Sequence, residues 1–114
     1  MAVALVGDHV VCDTCVVAET FAMRLRGLLG RRSLGDGEGM LIRRESSVHT
    51  FFMRFAIDVV FLDSELRVLR VDPNVGPWRL KACRGARSVL ELGAGEAAAR
   101  GLSVGDRIEL RDVG

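Results

Sequence analysis

Five polar side chains between positions 24 and 58 of this sequence could act together on an anion: Arg24, Arg26, His49, Arg54 and Asp58. Guanidinium groups are planar forks that hold a carboxylate or phosphate through paired hydrogen bonds. A histidine can move a proton near neutral pH. Asp58 sits among apolar neighbours, Ala56, Val60 and Leu62, on the same side of one strand pattern, and a buried carboxylate must be paired or hydrogen-bonded. Arg54, Arg24 and His49 are its expected partners. With Phe52 and Met53 lying between the polar groups, the expected ligand-binding set is Arg24, Arg26, His49, Phe52, Met53, Arg54 and Asp58. The same set has a structural reading, in which Asp58 anchors arginines and ties a helix to a sheet, because ion-pair networks also hold folds together. No Ser-His-Asp or Cys-His arrangement is legible, so no catalytic residue is assigned.

Three other motifs look chemical and are weaker. Val89-Leu-Glu-Leu-Gly-Ala-Gly95 resembles the glycine-rich first motif of methyltransferases that use S-adenosylmethionine, but it lacks a third glycine and too little chain follows for the further βα units. Cys12-Asp-Thr-Cys15 has half the ligands of a zinc site. Cys83 and His49 could supply the rest, but nothing brings them together. On a regular strand Cys12 and Cys15 project to opposite faces, so incidental thiols are expected. The loop 35–39 is glycine-rich, yet Asp36 and Glu38 would repel a phosphate. Neither metal nor cofactor is expected.

The elements that must position these groups follow from composition and periodicity. The chain has 114 residues, 49% of them hydrophobic and 27% charged, enough for one domain to bury a core without disulfide or metal. Fifteen of its sixteen cations are Arg, and the net charge of +1 argues against a broad nucleic-acid surface. The run 1–6 is too short for a signal-peptide core and no apolar run reaches membrane-spanning length. Three cysteines without a secretion signal are expected as reduced thiols in the cytoplasm.

Thr20 can cap a helix over 20–29, with Phe21, Leu25, Leu28 and Leu29 on one face and Arg24 and Arg26 on its margins. Strands are expected over 9–17 (broken near Asp13-Thr14), 40–42, 48–53 and 57–62. After a turn at 63–65, further strands are expected over 66–71, 88–92 and 107–110. Residues 72–77, with both prolines, read as an irregular loop, and 96–100 as a turn or two of helix. Along 55–62, Phe55, Ile57, Val59 and Phe61 alternate with Ala56, Val60 and Leu62, so this strand should be covered on both sides. The expected fold is α+β and strand-rich: a mostly antiparallel curved sheet or small open barrel with one main helix.

Several of these segments resemble, in order, the motifs of the domain-of-unknown-function family numbered 192. They are Arg24-Leu-Arg-Gly-Leu-Leu-Gly-Arg31, Glu38-Gly-Met-Leu-Ile42, the stretch from Val48 to Asp63, Val89-Leu-Glu-Leu92 and Gly101-Leu-Ser-Val-Gly-Asp106. The resemblance spans about 16–110. It implies a compact strand-rich α+β domain of bacteria and archaea, and no reaction. Phe52-Met53-Arg54 stands where many members have Trp-Met-Lys, and many members carry a signal or lipid anchor that is not seen here.

The functional expectation is a non-catalytic binding module, as a monomer or weak homodimer, for a small anionic ligand or a protein partner. One alternative is a small enzyme using His49 and Asp58 on an anionic substrate. Another is an assembly factor that pairs through a sheet edge.

Overall fold

The computed structural model describes residues 2–19, 33–35 and 37–112. Among these residues nine strands run β1 Ala2–Val6, β2 His9–Ala18, β3 Glu38–Arg43, β4 Ser47–His49, β5 Ile57–Leu62, β6 Val68–Val75, β7 Leu80–Ala82, β8 Ser88–Gly93 and β9 Glu109–Asp112; a short helix, α1, covers Glu96–Ala99. Seven strands form one sheet in the order β6-β5-β8-β3-β2-β1-β9, and β4 and β7 form a separate two-stranded ribbon. All pairs are antiparallel except β2 with β3. The expected helix over 20–29, with Arg24 and Arg26, lies outside the described residues.

The strand-rich α+β expectation holds in its coarse form; the barrel does not. Strands β6 and β9 are the sheet's two edges, and their flanks meet in one isolated bridge among the described residues, Arg67 with Arg107. The sheet curls without closing.

The core lies on both faces of the sheet. Val60, Leu62, Leu41, Leu90, Leu92 and Val11 pack on one side, and Ile57, Val59, Phe61, Met40, Ile42 and Val89 on the other. This is the alternation read along 57–62, and all six residues of β5 are buried. The β4-β7 ribbon lies over the second side, where Val48 and Met53 join that core.

Several boundaries differ for physical reasons. Strand β1 was hidden in a run too short to show a period; it pairs on both sides, with β2 and β9. Residues 72–75 are strand rather than loop, because β6 is an edge and Pro73 there has no ladder partner to lose. The strand expected over 48–53 stops at His49, where a turn begins. Strand β7, short and mostly exposed, was not expected. The last strand starts at Glu109 rather than Arg107.

Strand β2 is continuous but bulged. Ala2 pairs with Cys15 and Ala4 with Cys12, so three steps on β2 face two on β1. The extra residue falls at Asp13-Thr14 and turns Cys12 and Cys15 to the same side, into one core cluster. The opposite-face expectation is thereby corrected.

Candidate binding site

Where β4 ends, the chain turns outward. Thr50 is buried, and its amide donates to Arg79 O at 2.8 Å while its carbonyl accepts from Trp78 N at 3.0 Å and Met53 N at 3.2 Å. Its hydroxyl donates to Gly76 O at 2.7 Å and accepts from Arg79 N at 2.9 Å. One threonine thus ties 50–53 to 76–79. The Met53 bond closes a turn over 50–53 whose third residue is Phe52, at φ 67°. The Thr50 hydroxyl closes a second turn over 76–79, with Pro77 second and Trp78 third, at φ 62°. Proline second and positive φ third is the type II pattern, and the third position normally takes glycine. Here both third positions carry large aromatic rings. A bulky residue at positive φ is a genuine outlier and costs about 1–3 kcal/mol.

Both rings face solvent. Phe52 is 65% exposed, Trp78 59%, Leu80 67% and Phe51 36%, while Met53 between them points into the core. The rings touch one another: Phe51 stacks on His49 at 4.7 Å and on Trp78 at 5.8 Å, and Phe52 meets Trp78 edge-on at 4.8 Å. His49 is half-buried and its Nδ1 accepts from the Phe51 amide at 3.3 Å. Arg54 and Arg79, both exposed, follow Met53 and Trp78 directly in the chain. A surface depression of about 440 Å³ is lined by Pro73, Asn74, Pro77, Arg79 and Lys81, the residues that bracket Trp78 in the chain.

Asp58 lies elsewhere in the architecture. It is fully buried, and its Oδ1 accepts from the amides of Asn74 at 2.9 Å and Gly95 at 3.0 Å, its Oδ2 from the amide of Ala97 at 2.9 Å. The partners expected for it, Arg54 and His49, are replaced by main-chain donors; Arg24 lies outside the described residues. Each donor has a local cause. The β5-β6 register slips by one residue between Ile57 and Val59, and this bulge turns the Asn74 amide inward. Gly95 and Ala97 form the start of α1, where amides lack helical partners. The methyltransferase-like stretch is therefore strand β8, a glycine turn and a short helix whose amides are filled by the protein's own carboxylate. A side chain at Gly93 would meet Leu34 O at 2.6 Å, so that glycine serves close packing.

The predicted set thus divides. His49, Phe52 and Arg54 belong to the exposed turn, Met53 anchors it from below, and Asp58 is a clamp joining β5, β6 and α1. Sequence reasoning passed over Phe51, Trp78, Arg79 and Leu80. Two signals were available: Gly76-Pro-Trp78 is a turn signature with the wrong third residue, and adjacent Phe51-Phe52 cannot both face the core from one strand.

The Cys12 thiol donates to the Cys15 sulfur, which pushes Cys12 up and draws Cys15 down from the ordinary thiol range. Both are buried, in the cluster on the first side of the sheet, whereas Cys83 packs against the second. Cys83 therefore cannot complete a site with them. Among the described residues no three His, Cys, Asp or Glu side chains gather as metal ligands, and no helix is long and apolar enough to cross a membrane.

The profile of the family DUF192, described as Uncharacterized ACR, matches residues 3–110. A UPF0127 protein of Pyrococcus furiosus is 39% identical over 97 residues, covering 81% of this chain and 82% of its own length. One of Thermococcus sibiricus is 32% identical over 98 residues, covering 82% of this chain and 63% of its own, so the chain spans less than two thirds of that relative. A crystal structure of a protein of unknown function from Novosphingobium aromaticivorans superposes with TM-score 0.79 at 27% identity, over 95% of this chain and 82% of the other. One from Sinorhizobium meliloti, described as a candidate transcription regulator, gives 0.80 at 25% identity over 96% and 91%.

Proposed function

This chain belongs to the DUF192 family, and we propose that it is a non-catalytic binding module whose contact surface is the ledge of Phe51, Phe52 and Trp78 with its flanking arginines. The observation that carries this reading is the pair of aromatic rings held at positive φ and left in water. Folding alone favours glycine at both positions and burial for both rings. A sequence that does neither at two adjoining turns stores local cost where a partner would recover it. Aromatic and Arg side chains are also the types that dominate binding energy in interfaces. The arginines favour an anionic ligand, whether a small molecule or an acidic protein surface. His49 and Asp58, the pair on which an enzyme would depend, have separate duties: His49 supports the Phe51 turn and Asp58 is saturated by amides.

Trp78 is the chain's single tryptophan, so its fluorescence reports on the ledge. Titration with heparin and with polyglutamate should give a saturable change in Trp78 emission, weakened by Arg79→Ala. Emission that stays unchanged with every polyanion tried contradicts the reading.

A further inference from the structure

The net charge of +1 conceals a strong separation of charge. Of 16 cations and 15 carboxylates in the chain, the two segments that build the ribbon and its ledge, 43–54 and 77–87, hold seven cations and one carboxylate, Glu45. Nine cations and fourteen carboxylates are left for the remaining chain. Arg43 pairs with Glu19 at 3.6 Å. The other six, Arg44, Arg54, Arg79, Lys81, Arg84 and Arg87, make no ion pair among the described residues, and all but Lys81 are exposed. Pairing of β4 with β7 brings three of them onto one ribbon, with Lys81 opposite Val48, Arg87 O bonded by Glu45 N and Arg79 O bonded by Thr50 N, while Arg44, Arg54 and Arg84 lie in the segments that lead into and out of its strands. At one end of that ribbon stands the aromatic ledge.

We infer that the ribbon is a binding surface for single-stranded nucleic acid, with unpaired bases stacking on Phe52 and Trp78 and phosphates following the ribbon cations. The inference rests on the binding-module reading and names its partner. Nonspecific single-strand sites combine the two features found here, a cationic track for the backbone and solvent-facing rings for the bases. The π-faces of bases are free in a single strand and stacked away in a duplex. Five of these six cations are Arg, whose fork matches phosphate oxygens and can also stack on a base. An acidic polypeptide would satisfy the charges, but it has no planar group at each step to occupy protruding rings. The composition argues against a nucleic-acid surface only while the charges are taken as evenly spread; the fold gathers them.

The test is titration of the whole chain, followed by Trp78 emission, with four probes of matched charge: a thymidine 12-mer, the same strand made abasic, heparin and polyglutamate. The thymidine strand should quench Trp78 and bind about tenfold or more tighter than the abasic strand, the scale expected for one stacked base. Its log K should fall with log salt by about 0.7 for each phosphate neutralised. Phe52→Gly, which keeps the Trp78 reporter, should remove most of the preference for bases, and Arg79→Ala should weaken thymidine and abasic strands alike. Equal binding of abasic and thymidine strands, or tighter binding of polyglutamate, overturns the nucleic-acid inference while leaving the ledge as an anion-binding surface. Failure of all four probes to perturb Trp78 overturns both.

Discussion

At the scale of single residues, the two roles that looked alike in the sequence separate by where their partners come from. Asp58 was recognisable as a carboxylate needing donors, because its strand neighbours are all apolar. The donors were not recognisable, since a main-chain amide carries no residue signature and every non-proline residue has one. Asp58→Ala should therefore cost about 3–5 kcal/mol in equilibrium urea unfolding, the scale for leaving several buried amides unsatisfied. Asp58→Asn should cost less, because its amide oxygen still accepts. Parent-like stability in Asp58→Ala would contradict the clamp. The thiols give a second residue-scale expectation. Native-state alkylation with iodoacetamide should label Cys83 first, since Cys12 and Cys15 are 1% and 0% exposed. Equal rates at all three would mean that the bulged stretch of β2 opens readily.

At the scale of elements, legibility followed hydrogen-bonding context. Central strands β5 and β8, buried along their whole length and mostly apolar, were placed to within a residue. The edge strand β6 was cut short at Pro73, and the ribbon strand β7 was missed, because edge and ribbon strands need neither a continuous apolar run nor a full ladder. The turn between β5 and β6 was placed correctly, and its chemistry is testable. Asp63 Oδ1 accepts from the amides of Glu65 at 2.8 Å and Arg67 at 2.9 Å. These amides, that of Arg67 foremost, draw the Asp63 carboxyl below the usual carboxylate range. A folded-state pKa below the unfolded value stabilises the fold above the unfolded pKa of about 3.9 and loses that contribution as pH falls through the folded value. Urea midpoints should therefore fall further between pH 7 and pH 3 for the parent than for Asp63→Asn. Identical losses would show that the turn carboxylate does not contribute.

At the scale of the whole molecule, one sheet carries a core on each face, and strands β5, β8 and β3 contribute to both. Unfolding one core exposes the back of the strands that hold the other. Calorimetry should accordingly give one transition with equal calorimetric and van't Hoff enthalpies; two separated transitions would contradict a single domain. What composition could not convey at this scale was position. The cations of 43–54 and 77–87 stand in two separate stretches of the sequence and come together only once β4 and β7 pair.

The rings of the ledge are assigned to a partner rather than to the fold. The direct measurement is the urea midpoint of Phe52→Gly, followed by far-ultraviolet circular dichroism. Glycine relieves the positive φ of 67° at a position where the lost ring is 65% exposed. The midpoint should equal or exceed that of the parent, with relief of strain offsetting the greater freedom of glycine in the unfolded chain. A midpoint well below the parent's would mean that Phe52 holds the turn together, and would contradict the assignment of the ledge to binding.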